Sequence, residues 1–131
     1  MKKLLFVCVE NSNRSQMAQA FAKIHGAGKV EAFSAGSKPS GKVNPRAINA
    51  MKKIGYDLAS HDSKSLDEIP DGPYEYVVGM GCGDACPWVK TNNRIDWEIP
   101  DPREMDEHEF AGVRDIIEEK VKALLNQISA K

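Results

Sequence analysis

The sequence predicts an α/β fold, a single-domain three-layer α/β/α sandwich around a four-stranded parallel sheet. Apolar runs of strand length alternate along the chain with amphipathic runs of helical length. The first run, residues 4–7, is apolar at every position, as in a strand buried on both faces of a parallel sheet. The 131 residues contain no repeat, linker or low-complexity tract, so one domain over residues 1–131 is expected.

The first strand is followed by a polar loop and then by a helical pattern. Residues 14–24 predict a helix because Met17 and Phe21 lie on one face, and the glycines after it end it. Residues 30–37 predict the second strand. This strand–helix–strand order is the pattern that places two parallel strands side by side.

Capping residues mark the second helix. Asn44 is placed as its N-cap and Pro45 occupies the first helical position, while Gly55 follows its last turn. Residues 65–69 predict a short helical turn. These signals place the second helix and this turn between the second and third strands.

The last third of the chain predicts two strands and a long helix. Residues 74–80 predict the third strand and residues 95–99 the fourth, with residues 81–95 irregular between them. From residue 106 to the end, apolar residues recur on one helical face. These residues are Phe110, Val113, Ile117, Val121, Leu124 and Ile128.

Charge and hydrophobicity exclude several classes of protein. Lys and Arg number 18 against 19 Asp and Glu, so a nucleic-acid binder with a basic excess is not expected. The apolar run after Lys3 spans six residues, whereas a signal peptide needs roughly 7–15. Nothing in the sequence approaches a transmembrane span. We therefore expect a cytoplasmic monomer without a nucleic-acid or membrane partner.

The number of cysteines indicates whether the protein relies on structural disulfides or keeps free thiols. Cys8, Cys82 and Cys86 make an odd number in a small chain, which argues against a structural disulfide framework. Cys82 and Cys86 could form half of a zinc site, but the three histidines are scattered and do not complete it. Packing and thiol chemistry both stay open for this pair, and no metal is expected.

The loop after the first strand has the features of an oxyanion site. Cys8 ends the strand, Arg14 and Ser15 begin the helix, and a helix N-terminus carries partial positive charge. Arg14 can clamp two anion oxygens, and the same environment favours the thiolate of Cys8. Ser15 can donate a hydrogen bond to that sulfur. The residues expected to surround the anion are Val9, Glu10, Asn11, Ser12, Asn13 and Arg14.

The arrangement Cys-x5-Arg-Ser resembles the phosphate-binding loop of the low-molecular-weight protein tyrosine phosphatase superfamily. The wording "NSNRSQMAQAF", "FSAGS", "NPRAINAMKKIG", "GCGDACP" and "DWEIPDP" is similar to the thioredoxin-coupled arsenate reductases of that superfamily. The resemblance covers nearly the whole chain. It implies a phosphatase-like fold, arsenate as substrate with phosphate and sulfate as analogues, and no cofactor.

The resemblance also implies roles for individual residues. Cys8 attacks arsenate, and Asp101, in an Asp-Pro pair, supplies a proton as general acid. Cys82 and then Cys86 pass on a disulfide, which is reduced by thioredoxin or by a glutaredoxin or low-molecular-weight thiol system. The Cys-x3-Cys spacing of this pair is shorter than in better-known thioredoxin-coupled members, which affects the details of the relay. The implied catalytic residues are Cys8, Arg14, Ser15, Cys82, Cys86 and Asp101.

Two other functions stay open. One is a low-molecular-weight protein tyrosine phosphatase, although residues 103–105 carry none of the aromatic side chains that such enzymes place after Asp-Pro. The other is a non-catalytic oxyanion or thiol sensor, which would need no proton donor. Some reductases of the family also bind potassium through an asparagine, a serine and two carboxylates. Asn11 and Ser34 match, but Gln19 and Lys64 replace the carboxylates, so no alkali-metal cofactor is expected.

Overall fold

The computed structural model describes residues 2–70, 72–80, 91–102 and 104–129. Within these ranges the chain forms four strands, three α-helices and two short 3₁₀ turns. The strands and helices, in chain order, are β1 (Lys2–Cys8), α1 (Arg14–His25), β2 (Val30–Gly36), α2 (Pro45–Lys52), β3 (Tyr74–Gly79), β4 (Thr91–Asp96) and α3 (Glu107–Ser129). The 3₁₀ turns are Leu58–Ser60 and Leu66–Glu68.

The sheet is parallel throughout and has the strand order β2-β1-β3-β4. In this order β1 lies between two strands, which explains why residues 4–7 are apolar at every position and fully buried. The register pairs Cys8 at the end of β1 with Gly36 at the end of β2. The α/β class with a four-stranded parallel sheet is confirmed.

The core lies on both faces of the sheet. On one face Leu4 and Phe6 pack against residues of all three helices, including Phe21, Met51 and Ile117. The other face carries a smaller cluster with Leu5, Val7, Ala35, Tyr74 and Val77, against which Leu66 and Ile69 pack. Among the described residues, the second outer layer is therefore a 3₁₀ turn and its flanking loop, which is where the sequence predicts a short helical turn.

The predicted N-cap of the second helix is present. The Oδ1 of Asn44 accepts a hydrogen bond from the N–H of Arg46 at 2.9 Å, with Pro45 in the first turn of α2. At the start of α3, the Oδ1 of Asp106 accepts from the N–H of Glu109 at 2.8 Å. The apolar face predicted for the last helix is buried in full.

The position that the sequence predicts for the fourth strand is wrong. It runs over Thr91–Asp96, so residues 91–94 belong to the sheet and residues 97–99 follow it. Thr91 and Asn93 stabilise this polar strand because their side chains donate to the backbone carbonyls of Tyr74 and Glu75 in β3, at 2.7 and 3.0 Å. No helix within the described ranges has the length and hydropathy that crossing a bilayer requires.

Candidate active site

Cys8 lies at the carboxyl end of β1, where ligands bind in folds of this class. Its Sγ is 2.8 Å from the Oγ of Ser15 and accepts a hydrogen bond from the N–H of Asn11 at 3.2 Å. The side chain is nearly buried but lines a cavity of about 450 Å³. The sulfur is therefore held by two polar groups at the base of an open site.

The carbonyl groups of residues 9–13 anchor the loop to the surrounding structure. Each of these carbonyl oxygens accepts a hydrogen bond from a donor outside the loop. Because C=O and N–H point in opposite directions across a trans peptide, we expect the N–H groups of residues 10–14 to face toward the cavity. The donors to the five carbonyls, in order, are the N–H of Lys38, the N–H of Ser40 with the Oγ of Ser63, the Nε2 of Gln16, the N–H of Asn44 and the N–H of Met17.

Asn11 supports the loop from beneath. Its φ of 51° lies in the left-handed region, which asparagine tolerates better than most residues. Its Nδ2 donates to the Oγ of Ser15 at 2.8 Å, while its Oδ1 accepts from the N–H of Lys64 and the Nε2 of Gln16, each at 2.8 Å. The side chain of Asn11 thus orients Ser15. Asn11 is expected from the sequence to surround the anion, but it is not among the described residues that line the cavity.

Gly36 provides the space that the loop needs. A Cβ atom at this position would lie 2.5 Å from the carbonyl oxygen of Val9 and 3.0 Å from the N–H nitrogen of Asn11. Such distances are too short for non-bonded atoms, so any larger residue would push the loop away from β2. The second strand therefore ends on glycine because the oxyanion loop passes directly over it.

Arg14 brings the distant acidic residue to the same cavity. Its NH1 donates to the carbonyl oxygen of Ile99 at 2.9 Å, and its NH2 lies 3.9 Å from the Oδ2 of Asp101. Asp101 is 87 positions further along the chain, and only the fold places it on this wall. The described residues that line the cavity are Cys8, Val9, Glu10, Ser12, Asn13, Arg14, Lys38 and Asp101. Of these, only Lys38 is not indicated by the sequence.

Asn13 also belongs to this wall. Its side chain is buried, and its Oδ1 has no hydrogen-bond partner among the described residues. It precedes α1 at the N-cap position without capping it. Asn13 therefore carries a buried acceptor in a wall to which Arg14 and Lys38 contribute donors and Glu10 and Asp101 contribute carboxylates.

Two further residues contact the support of the loop and were not assigned to the site from the sequence. Gln16 is fully buried beside Asn11, and its Oε1 is 2.9 Å from the Nδ1 of His61. The Nε2 of His61 is 2.6 Å from the hydroxyl of Tyr56. Nothing in the sequence indicates that His61 and Gln16 are partners.

His61 is held in its neutral form. Burial, and after it the positive charges of Lys23 and Lys64, lower the pKa of His61 to about 4, against smaller opposing effects of Asp57 and Asp62. Burial and the nearby Asp57 raise the pKa of the Tyr56 hydroxyl. Both groups are therefore uncharged at neutral pH.

Cys82 and Cys86 lie outside the described residues, so their place relative to Cys8 stays a prediction. The potassium-site positions are described, and there the Oγ of Ser34 donates to the Oε1 of Gln19 at 2.6 Å. The Nε2 of Gln19 donates to the carbonyl oxygen of Ala32 at 3.2 Å. In the described part of the chain, no three His, Cys, Asp or Glu side chains form a metal-binding group.

Comparison with known proteins gives one family. The model of the low molecular weight phosphotyrosine protein phosphatase family matches residues 3–131. A glutaredoxin arsenate reductase from Synechocystis sp. is 39% identical over 132 residues, covering 98% of this chain and 100% of the relative.

Solved structures agree with this. An arsenate reductase in the phosphate binding state superposes with a TM-score of 0.88 at 38% identity, covering 98% of this chain and 99% of that one. A thioredoxin-dependent arsenate reductase from Corynebacterium glutamicum superposes with a TM-score of 0.80 at 28% identity, covering 99% of this chain and 63% of that one.

Proposed function

The chain belongs to the low molecular weight phosphotyrosine protein phosphatase family, and we propose that it is an arsenate reductase of that family. One observation carries the proposal: the sulfur of Cys8 lies at the base of a cavity whose wall holds both Arg14 and Asp101. Similarity to proteins named arsenate reductases supports arsenate as the substrate. The described residues that line the cavity include no aromatic side chain, which disfavours an aryl phosphate.

The first step uses the residues around Cys8. The Cys8 thiolate attacks the arsenic atom, an arsenic–sulfur bond forms, and one arsenic–oxygen bond breaks. Asp101 gives its proton to the departing oxygen, which leaves as water. The N–H groups of the loop and the Arg14 guanidinium stabilise the negative charge on the remaining oxygens.

The second step reduces arsenic. The thiolate of Cys82 attacks the sulfur of Cys8, a disulfide forms, and the electron pair of the sulfur–arsenic bond stays on arsenic, which leaves as arsenite. Cys86 then attacks Cys82, releasing Cys8 as a thiolate and forming a Cys82–Cys86 disulfide. The two electrons that convert As(V) to As(III) come from two thiols. An external thiol reductant then supplies two electrons to the Cys82–Cys86 disulfide and restores both thiols.

The external reductant is thioredoxin or a glutaredoxin with a low-molecular-weight thiol. The Synechocystis relative is named for glutaredoxin, which supports the second system, whereas the Corynebacterium protein is thioredoxin-dependent, which supports the first. We propose that the chain acts as a monomer and in the cytoplasm, where thiols are kept reduced. Phosphate and sulfate are expected to compete with arsenate because they share its shape and charge.

The test is arsenate-dependent oxidation of NADPH in two reconstituted systems, one with thioredoxin and its reductase, the other with glutaredoxin, glutathione and glutathione reductase. Wild type should turn over in one of them. Cys8→Ser should lose all activity because the nucleophile is gone, and Cys82→Ser should stop after at most one cycle. Mass spectrometry after one turnover without reductant should find the Cys82–Cys86 disulfide.

Other outcomes would favour the alternatives. Fast hydrolysis of p-nitrophenyl phosphate without arsenate reduction in either system would make the chain a phosphatase. Oxyanion binding with neither activity, unchanged in Cys8→Ser, would make it a sensor. Continued turnover in Cys82→Ser would contradict the relay while leaving the role of Cys8 intact.

A further inference from the structure

Lys38 belongs to the wall of the Cys8 cavity but has no part in the reaction steps proposed above. It lies two residues after the end of β2, in the loop that leads to α2. Its backbone N–H donates to the carbonyl oxygen of Val9 at 2.8 Å. The backbone of Lys38 is therefore held against the oxyanion loop, while its side chain is exposed.

The loop that carries Lys38 is tied to the oxyanion loop at two further points. The N–H of Ser40 donates to the carbonyl oxygen of Glu10, and the N–H of Asn44 donates to that of Ser12, each at 3.0 Å. Because three hydrogen bonds join the two loops, the backbone of Lys38 keeps its place beside the cavity. Its ammonium group, on a flexible four-carbon stem, stays within reach of an anion there.

The charged side chains in the cavity wall are of both signs. Arg14 and Lys38 are the cations, and Glu10 and Asp101 are the acids. Arg14 is already engaged, because its NH1 donates to the carbonyl oxygen of Ile99 and its NH2 lies 3.9 Å from Asp101. Lys38, by contrast, forms no ion pair with any carboxylate in the described part of the chain. No direct partner therefore offsets the charge of Lys38 there.

An incoming arsenate ion brings more negative charge into this cavity, where the Cys8 thiolate is negative as well. With both acids ionised, the wall is neutral with Lys38 and net negative without it. With Asp101 protonated, as the proposed first step requires, the wall is net positive with Lys38 and neutral without it. In both states Lys38 therefore decides whether the wall opposes or favours the entry of an anion.

We propose that Lys38 is a substrate-binding residue whose ammonium group attracts the oxyanion into the Cys8 cavity and offsets the charge of Glu10. The identity of that oxyanion rests on the proposed function, whereas the charge at the cavity does not. The attraction acts through space, so it extends to any small anion and weakens as salt is added. Since Lys38 does not act on the bonds that form and break, we expect it to change KM and leave kcat nearly unaltered.

Two alkylating reagents of similar size measure the charge at the cavity. Iodoacetate is anionic and iodoacetamide is neutral, and both react with the thiolate of Cys8. The ratio of the two rates is therefore independent of how reactive the sulfur is. The rates are followed on the Cys8 peptide by mass spectrometry, in the full chain at low ionic strength. In Lys38→Met the ratio of iodoacetate to iodoacetamide rates should fall roughly fivefold, and this fall should nearly vanish in about 1 M salt.

Matched variants separate the charge of Lys38 from its other properties. Lys38→Arg keeps the charge, so its ratio should stay within about twofold of wild type. Lys42→Met is the control, because Lys42 is an exposed lysine of the same loop that is not among the described residues lining this cavity. Its ratio should match that of wild type. Glu10→Gln should raise the ratio, because it removes a negative charge from the wall.

Phosphate affinity, by calorimetry, and arsenate turnover are measured in parallel. In Lys38→Met the phosphate affinity and the kcat/KM for arsenate should both fall roughly tenfold, the latter through KM. A displacement of the oxyanion loop would instead lower kcat and leave the ratio of alkylation rates unchanged.

Two results would overturn the proposal: an unchanged alkylation ratio in Lys38→Met, or an equal fall in Lys42→Met. Neither alkylation nor phosphate binding requires arsenate reduction. If the ratios change as expected and no variant reduces arsenate, the proposed function is rejected and the role of Lys38 in anion binding stands.

Discussion

Arg14 joins two parts of the site that are 85 or more residues apart in the chain. Its guanidinium contacts the carbonyl oxygen of Ile99 and lies 3.9 Å from a carboxylate oxygen of Asp101, while its backbone begins α1. The planar fork can hold these contacts and still present N–H groups to an anion. A single side chain thereby sets the distance between the oxyanion loop and the proposed acid.

Arg14→Lys tests this geometry at constant charge. The ammonium group cannot form the fork, so kcat/KM for arsenate should fall about 100-fold, as for loss of a donor to transition-state charge. The measurement is steady-state arsenate reduction, with phosphate affinity by calorimetry alongside. Arg46→Lys is the matched control because Arg46 also donates to a backbone carbonyl, that of Met105, without lining this cavity. A loss below threefold in Arg14→Lys would contradict the role.

At this scale the sequence predicts the residues that lie next to each other in the chain better than those that meet through folding. The strand, loop and helix signals suffice to bring Cys8, Arg14 and Ser15 together. Gln16 and His61 are 45 positions apart, and a buried amide meeting an imidazole leaves no periodic signal. The position of Asp101 follows from the family resemblance and not from spacing, because an Asp-Pro pair is ordinary turn chemistry.

The end of β2 shows how an element constrains the site. Gly36 pairs with Cys8 in the sheet, and its N–H donates to the carbonyl oxygen of Lys64 at 2.8 Å. The same residue therefore contacts the nucleophile's strand, the oxyanion loop and the segment after His61. This crowding explains why the strand can end here only on a residue without a side chain.

Gly36→Ala should destabilise the fold by about 1–3 kcal/mol and weaken phosphate binding, since the new Cβ displaces the loop. Urea unfolding and calorimetry measure the two effects. The matched control is Gly112→Ala in α3, where a Cβ meets nothing within 4 Å and should stabilise the helix by roughly 0.5–1 kcal/mol. Equal stability changes of the same sign in both variants would contradict the steric explanation.

The misplaced fourth strand has a physical reason. The prediction followed the apolar residues of 95–99, whereas β4 is an edge strand whose sequence "TNNRID" is mostly polar. Its side-chain hydrogen bonds to β3 replace the apolar burial that identifies an inner strand. The three strands with buried apolar residues, by contrast, are where their patterns predict them.

For the whole molecule, His61 links stability to pH. Its folded pKa of about 4 lies below the ordinary 6.5, so between these values the unfolded chain binds more protons. Stability is therefore fully present above pH 6.5 and declines as the pH falls to 4. Because the ring is partly exposed, we expect this group to account for about 1–2 kcal/mol of the loss.

The contribution of His61 is measured as the difference between the free energies of unfolding in urea at pH 7 and at pH 4.5. The decline in the free energy of unfolding should be smaller in His61→Asn than in wild type by about that amount, because asparagine does not titrate. His108→Gln, at the exposed start of α3, should decline as wild type does. The same decline in His61→Asn as in wild type would show that other groups cause the pH dependence.

The position of β1 has a consequence for how the protein works. Strands lie on both sides of β1, and its last residue is paired with Gly36 of β2 and directly follows Val7, which is paired on both sides. The position of Cys8 is therefore fixed by the sheet, and each reactant has to reach its sulfur through the cavity. Speed and selectivity then depend on the arriving group, which must be small enough to enter the cavity above Cys8. An inhibitor that blocked the opening of this cavity would therefore exclude both arsenate and the thiol that attacks Cys8.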